Sequence, residues 1–234
     1  MSKQKKPVHA LSLPYPDPQW PPVSSDQEQA VLQLLLPLLR PIGEFKRSHV
    51  PQSKGKGRAG KTVDTANNDL MPDLYTHLTI GFNSTVRRLE ALAGDRSPAI
   101  LSAPTTTTTP SQNPVNLSVV FVCRQNLPDI MSSSMPLLVA TSAPVSSRSQ
   151  LVELSPQAEA KIAQALQQPR VGVLGLEEGA SDAGALLRLV AETFETVTVP
   201  WLDQPQRPHY FPVKVKTTLA GNKVNRKRKQ PDEG

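Results

Sequence analysis

The segment "GFNSTVRRLE" combines residue types that could bind a nucleic acid. Gly81 and Asn83 stand at the predicted start of a helix, and two arginines follow within one turn. The first N–H groups of a helix have no partner within the helix and attract phosphate. The amide of Asn83 can both donate to and accept from a base edge. The segment therefore suits contact with a nucleic-acid backbone and an exposed base beside it.

A rotation of 100° per residue divides this helix into two faces. The predicted core face consists of Phe82, Val86, Leu89 and Ala93. The opposite, polar face consists of Asn83, Ser84, Arg87 and Arg88. The alternative is that an asparagine or serine here only caps the helix and that the arginines are solvated.

Helix and strand patterns alternate along the chain. Helices are predicted in "DQEQAVLQLLLPLLR", with Ser25 or Asp26 as cap, and in "GFNSTVRRLEALAG", which ends at Gly94. "SPQAEAKIAQAL" is a further helix, capped by Ser155 with Pro156 at its first position.

The remaining elements complete the alternating pattern. "IMSSSMPLLVATS" is interpreted as a helix that Pro136 starts or interrupts, and "SDAGALLRLVAETF" as an amphipathic helix. Apolar runs predict buried strands at 117–124 and 170–176. "IGEFKRSH" and "QLVELS" are interpreted as short strands, and "TVTVPWL" closes the pattern.

This order of elements predicts a three-layer α/β/α sandwich with a mixed sheet covered on both faces. A proline-rich leader at 1–22 precedes the predicted RNA-binding domain, 23–202. Two low-complexity inserts, 51–69 and 102–114, interrupt it and are predicted to be disordered. An extended segment with a basic tail, 203–234, follows.

Charge is distributed unevenly along the 234 residues, whose net charge is +6. Acidic residues predominate over 151–200, whereas 214–229 is rich in lysine and arginine and has no acidic residue. Lys214 and Lys216 are candidates for contact with an RNA backbone. They could equally lie on the outer face of an edge strand with Val213 and Val215 inward. "RKRK" is typical of a nuclear-localisation signal formed by Arg226, Lys227, Arg228 and Lys229.

Several other kinds of site are not expected. The single cysteine, Cys123, lies in an apolar run that predicts a buried, inert thiol, and one cysteine forms no intrachain disulfide. The four histidines are scattered without the spacing of zinc ligands, and no nucleophile motif is present. The glycines of "VGVLGLEEGASDAG" do not have the dinucleotide-binding arrangement. We expect no cofactor, no small-molecule substrate, no secretory signal and no membrane span.

The order of segments resembles the kink-turn-binding superfamily of ribosomal and small-RNP proteins, in which a Gly-x-Asn-Glu-x-x-Lys/Arg helix start grips sheared G·A pairs. Gly81, Asn83 and Arg87 match that motif, but Ser84 stands where the superfamily has glutamate. "SPQAEAKIAQALQQPRVGVLGL" is similar to its Ser-led helix, RNA-contacting loop and last core strand. The resemblance therefore implies a loop of Gln167, Gln168, Pro169 and Arg170 at the RNA.

Within that superfamily, residues 25–219 most resemble its fungal RNase P/MRP subunit. The resemblance rests on "GFNSTVRRLE", "FVCR", "PRVGVLGL", "VTVPWL" and "YFPVKVKTTL". It implies a non-catalytic subunit that binds RNase P/MRP RNA and other protein subunits of the same particle. The implied location is the nucleus, in particular the nucleolus, and the implied process is the maturation of precursor tRNA and rRNA. The rival hypothesis is a nuclear protein–protein scaffold with the same fold, which would use the acidic region 177–195 for docking.

Overall fold

The computed structural model describes residues 7–12, 15–16, 18–49, 71–95, 115–203 and 212–219. The chain forms two compact units, a larger one within Pro18–Asp203 and a smaller one from the two chain ends. The smaller unit contains an antiparallel sheet of strands β1 (Pro7–Ser12) and β6 (Lys214–Leu219). The predicted inserts and the basic motif at 226–229 lie outside the described residues.

A mixed four-stranded sheet lies at the centre of the larger unit. Its strands, in the order β2-β5-β3-β4, are β2 (Leu78–Ile80), β5 (Val173–Glu177), β3 (Leu117–Val122) and β4 (Gln150–Glu153). Strand β5 runs antiparallel to β2 and β3, whereas β3 and β4 are parallel. The strand β3 is apolar along most of its length because both of its faces are covered.

Helices cover both faces of this sheet. One layer consists of α1 (Ser25–His49), α4 (Pro156–Ala165) and α5 (Gly184–Thr193). The other consists of α2 (Phe82–Asp95) and α3 (Asp129–Ser142), and a short helix, α6 (Pro200–Asp203), follows α5 along the chain. Alternate residues of β3 enter opposite cores, Phe121 on the α1 side and Val120 on the α2 side. The prediction of an α/β/α sandwich is confirmed.

Helix α1 begins and ends at different places from those predicted. The Gln27 N–H donates to Ser24 Oγ over 3.3 Å, and the Ser24 N–H donates to Gln27 Oε1 over 2.8 Å. This reciprocal capping box makes Ser24 the cap, so the prediction of Ser25 or Asp26 is wrong. The short strand predicted in "IGEFKRSH" is also wrong, because α1 continues to His49.

Burial explains why α1 passes through its two prolines. Leu35, Leu39 and Ile42 are almost wholly buried, and each such side chain contributes about 1.5–3 kcal/mol. Pro37 and Pro41 lie four residues apart on the exposed side of the helix. A proline inside a helix costs about 3 kcal/mol. The continuous apolar stripe therefore offsets the two missing backbone hydrogen bonds.

The other predicted elements agree with the structure to different extents. The start of α4 is confirmed: Ser155 Oγ accepts from the Ala158 N–H over 3.2 Å, and Pro156 is the first helical residue. Pro136 lies inside α3 and does not begin it. The predicted stop at Gly94 is wrong, because this residue lies within α2. "TVTVPWL" leads irregularly into α6, with Val197 and Val199 buried.

In the smaller unit, β1 and β6 pair from Pro7 opposite Leu219 to Ser12 opposite Lys214. A proline at the first position of an edge strand removes no ladder hydrogen bond that the strand needs. Val213 and Val215 are 51% and 58% exposed. The alternative in which these two valines face inward is therefore wrong.

Candidate nucleic-acid interface

The turn between β2 and α2 is built on Gly81. Its φ of +93° lies in the left-handed region, which side-chain-bearing residues rarely adopt. The Gly81 N–H donates to the carbonyl of Val173 over 2.8 Å, and the Gly81 carbonyl accepts from the Thr85 N–H over 3.2 Å. Gly81 thus occupies the cap position of α2 and also ties this helix start to β5.

The exposed residues at the start of α2 are Asn83, Ser84 and Arg87. Because α2 begins at Phe82, Asn83 lies within its first turn, and the alternative of Asn83 as the cap is wrong. A glycine at the cap position has no side chain to accept from the first N–H groups of the helix. Those N–H groups and the positive end of the helix dipole can therefore act on an anion.

Arg88 does not share the exposed face predicted for it. Its Nη2 lies 2.7 Å from Glu177 Oε1 and donates to the Val115 carbonyl over 2.9 Å. The same carboxylate contacts His77 Nδ1 at 3.3 Å. The core face of α2 is centred on the buried Leu89, which leaves Arg88 on the flank of that face. Arg88 therefore joins α2 to β5, and Arg87 is the arginine that faces solvent.

The predicted loop after α4 begins with a left-handed residue. Gln167 has a φ of +53°. Its N–H donates to Gln164, and the Gln168 N–H donates to Ala163 over 2.9 Å. This pair of bonds is a Schellman motif, in which glycine usually occupies the left-handed position. The motif turns the chain away from α4 with Gln167 and Pro169 exposed.

The hydrogen bonds of the sheet bring this loop beside the start of α2. Gly172 directly precedes β5, and its carbonyl accepts from the Cys123 N–H over 2.9 Å. The next residue, Val173, accepts from Gly81. The α2 start, the loop 167–172 and the end of β3 consequently meet at one end of the sheet.

Arg170 links the loop to the segment after β3. Its Nη2 donates to the Asn126 carbonyl over 3.3 Å, and its Nε lies 3.7 Å from Glu159 Oε1. Its side chain is nevertheless 70% exposed, so much of the guanidinium faces solvent. Glu159 itself is buried and also accepts from the Asn126 side-chain amide. The buried carboxylate of Glu159 thus holds the loop, through Arg170, and the segment after β3, through Asn126.

Sequence reasoning missed Arg124 and Trp20 as candidate site residues. Arg124 follows β3 and lies over the Trp20 ring, with 5.3 Å between the guanidinium carbon and the ring centroid. Its Nη1 is 3.7 Å from Glu153 Oε2, and its side chain is 47% exposed. The "CR" at the end of the buried run was the sequence signal for Arg124. A charged side chain directly after a buried strand must reach solvent at the end of that strand. The Trp20 contact had no such signal.

Cys123 directly follows β3 and is 2% exposed. Burial raises the pKa of its thiol to about 12, with smaller contributions from the carboxylates of Glu159 and Glu28. A thiol with so high a pKa remains protonated and unreactive at neutral pH. The prediction of a buried cysteine is confirmed, and the raised pKa agrees with the expectation of an inert thiol.

A groove between α1 and α4 adjoins the loop through Gln167. Its lining includes Arg40 and Glu44 of α1 and Lys161 and Gln164 of α4. These four side chains are exposed. The groove therefore carries two cations and one carboxylate beside the loop.

The remaining predicted site residues lie elsewhere. Lys216 is an exposed residue of β6 in the smaller unit, and Lys214 begins that strand.

In the described part of the chain, no helix is long and apolar enough to cross a membrane. The same residues contain no cluster of side chains suited to a metal ion. Gly175 lies inside β5, where a Cβ would collide with Thr79, and so has a packing role.

The fold and this geometry define an α/β/α protein with a candidate nucleic-acid interface at one end of its sheet. Residues 57–204, more than half of the chain, match the family described as RNase P subunit Pop3. The chain belongs to that family and is accordingly a protein subunit of a ribonucleoprotein. A search of curated proteins found no match to it.

Proposed function

We propose that this subunit binds structured RNA of RNase P at the end of the sheet where α2 begins and where the loop 167–172 leads into β5. The observation that carries the proposal is the bond from the Gly81 N–H to the Val173 carbonyl. It holds an uncapped helix start beside a loop of exposed polar residues. Both segments can then contact one RNA element.

Backbone contacts would come from cations around this end of the sheet. Arg87, Arg124 and Arg170 all have exposed side-chain surface there. The first N–H groups of α2 point along the helix axis and would bind a phosphate there. Arg40 and Lys161 of the adjoining groove would extend the contact to a further phosphate. Such contacts orient an RNA without reading its sequence.

Base contacts would come from amides and from a stacked guanidinium. Asn83 and Gln167 are exposed and can each donate to and accept from an unpaired base. The Arg124 guanidinium is supported by the Trp20 ring, so its outer face offers a flat surface on which a base can stack. These groups favour an RNA with an unstacked base over a regular duplex.

Ser84 makes the RNA element differ from a standard kink-turn contact. A serine hydroxyl is shorter than a glutamate side chain and carries no charge, so it cannot accept from a guanine edge in the same way. The proposed ligand is therefore a bent or looped RNA with an exposed base. Sheared G·A pairs are not required for binding.

The subunit's role in this proposal is architectural. Catalysis by RNase P/MRP would reside in the RNA, and this chain would hold one RNA element in shape and dock neighbouring subunits. The proposed location is the nucleus, including the nucleolus, with Arg226, Lys227, Arg228 and Lys229 as the import signal. The corresponding processes are the maturation of precursor tRNA and of rRNA. Lys214 and Lys216 would add contacts to the RNA backbone.

Binding by the purified chain tests this proposal against the scaffold alternative. The probes are in-vitro-transcribed RNase P RNA from the same source and an unrelated duplex RNA of matched length. We expect tighter binding of RNase P RNA in a filter-binding titration at physiological salt. Equal affinity for both RNAs, or no binding of either, would favour the protein–protein scaffold.

A further inference from the structure

The groove between α1 and α4 lies where the two helices are in close contact. At Gly43 a Cβ would collide with the Ala165 carbonyl, so a residue without a side chain lets the two backbones come this near. Leu36 and Ala165 are the partly buried members of the groove lining, and both pack against the core. The deepest part of the groove is therefore apolar.

The rest of the lining is exposed and polar. It consists of Arg40, Glu44, Lys161, Gln164 and Gln167. Within the described ranges Arg40 and Lys161 form no ion pair, so both charges are available to a phosphate. The two glutamine amides can each donate to and accept from a base edge, and the Glu44 carboxylate can accept from a base amino group or a 2′-hydroxyl.

The backbone at Gln167 gives a second, independent indication of a binding role. Gln167 is the one non-glycine residue of the described ranges with a positive φ, +53°. Glycine would adopt this conformation without strain, and the exposed glutamine side chain gains little from burial. Strained residues of this kind concentrate at ligand-binding sites. Here the strained residue brings an amide to the edge of the groove.

The size of the groove restricts what it can hold. Its volume is about 380 Å³, within the range of about 300–1,000 Å³ that is typical of small-molecule sites. That is room for one nucleotide and too little for a duplex. An acidic peptide would satisfy the two cations but would be repelled by Glu44, whereas a nucleotide offers a phosphate to the cations and amino or hydroxyl donors to the carboxylate.

We propose that this groove receives a single nucleotide extruded from the RNA that is bound at the end of the sheet. The base would lie on Leu36 and Ala165, its edge would meet Gln164 and Gln167, and its phosphate would meet Arg40 and Lys161. The groove shares Gln167 with the loop 167–172, so one RNA can reach both. The inference rests on the proposed function and adds a nucleotide-sized site to it.

Two substitutions separate nucleotide binding from folding. Gln167→Gly relieves the backbone strain and should raise the melting temperature by about 2–4 °C. Gln164→Ala favours the helix and should not lower it. Each removes an amide from the groove and should weaken binding of in-vitro-transcribed RNase P RNA by about 5- to 150-fold. Wild-type affinity in both folded variants would overturn the proposal.

Chemical probing of RNase P RNA identifies the nucleotide. Dimethyl sulfate modifies unpaired adenine and cytosine, and a carbodiimide modifies unpaired guanine and uracil, so together they report on all four bases. At saturating protein we expect a base that is reactive in the free RNA to be protected by the wild type. Ala165→Phe fills the groove without changing its charge and should leave that base reactive.

Ala185→Phe is the matched control for the filled groove. It enlarges an exposed alanine of α5 outside the groove lining and should protect the same base as the wild type. Identical protection by the wild type and folded Ala165→Phe would contradict a nucleotide in the groove.

Failure of this inference differs from failure of the proposed function. If the wild type prefers RNase P RNA and Asn83→Ala weakens binding, while the three groove variants behave as the wild type, RNA contact at α2 stands and the groove site is wrong. If the wild type binds neither RNase P RNA nor the unrelated duplex, the proposed function fails and the groove site fails with it.

Discussion

The Gly81 N–H donates to the Val173 carbonyl over 2.8 Å, although the two residues are far apart in sequence. This bond continues the β2–β5 ladder by one residue beyond the pair Ile80 and Leu174. It therefore sets where α2 starts relative to the loop 167–172. The candidate RNA site depends on this alignment and on the left-handed conformation of Gly81.

Substitution of Gly81 tests that conformation. Gly81→Ala should lower the free energy of unfolding by about 1–2 kcal/mol, because a Cβ at a φ of +93° is strained even though it meets no neighbour. Gly184→Ala is the control. Gly184 has a φ of −53° and a ψ of −40°, with open space at its Cβ, so alanine there should stabilise by about 0.4–1 kcal/mol. Urea denaturation measures both, and equal effects would contradict this explanation.

The left-handed Gln167 gives a prediction of opposite sign. Gln167→Gly should raise the free energy of unfolding by about 1 kcal/mol, because it removes the Cβ clash at a φ of +53°. Gln164→Gly, within α4, should instead destabilise by about 1 kcal/mol because glycine has a lower helix propensity. Denaturation curves of the two variants should shift in opposite directions. A destabilised Gln167→Gly would mean that the side chain makes contacts outweighing the strain.

The ion pair between Arg148 and Asp203 should make a pH-dependent contribution to the free energy of unfolding. Arg148 is 2% exposed and donates to Asp203 over 2.7 and 3.1 Å, and to the carbonyls of Val197 and Ala140. Arg148→Met removes one partner of a buried pair and should cost about 3 kcal/mol at neutral pH. Arg188→Met, at an exposed arginine, should have little effect.

The pH dependence follows from Asp203. The hydrogen bond from Arg148 is the main cause that lowers the pKa of its carboxyl, and the Val199 N–H and the charge of Arg148 lower it further, against desolvation. A lowered folded-state pKa stabilises fully above the unfolded value of about 4, and this stabilisation disappears as pH falls through the folded value. The difference between wild type and Arg148→Met should therefore shrink below about pH 4. A constant difference from pH 7 to pH 3 would show that the ion pair contributes nothing.

The basic tail should add affinity without specificity. Deletion of 220–234 removes Lys223, Arg226, Lys227, Arg228 and Lys229. Affinity should fall equally for RNase P RNA and unrelated RNA. The slope of the logarithm of the binding constant against the logarithm of salt concentration should become shallower by about 0.7 for each phosphate that the tail had neutralised. The deletion should also move a fluorescent fusion out of the nucleus. A collapse of discrimination between the RNAs at an unchanged salt slope would instead place specific recognition in the tail.

Local signals predicted the parts of the fold that local chemistry determines. The apolar run of β3 and the Ser155 cap with Pro156 are sufficient in themselves to specify a strand and a helix start. Tertiary burial decided the parts that failed: α1 continues past Pro41 through the segment predicted as a strand, because its apolar face is covered. The pairing of Arg148 with Asp203 joins distant residues, which no local pattern reveals.

The candidate site was predictable to a similar degree. Asn83 and Arg87 follow from the polar face of one helix, and their exposure agrees with that expectation. Arg88 could not be assigned, because its position on the flank of the core face brings it to Glu177, a residue of another element. The aromatic support of Arg124 by Trp20 likewise depends on how a segment without regular structure packs against the end of β3.

RNA affinity of Asn83→Ala tests the central claim most directly. The control is Glu90→Ala, at an exposed residue of the same helix. In filter-binding titrations with RNase P RNA, removal of the amide should weaken binding by about 1–3 kcal/mol, or about 5- to 150-fold in Kd. Glu90→Ala should not weaken binding, and both variants should melt close to the wild type, because Asn83 does not cap α2. Wild-type affinity of the folded Asn83→Ala variant would contradict a base contact at the start of α2.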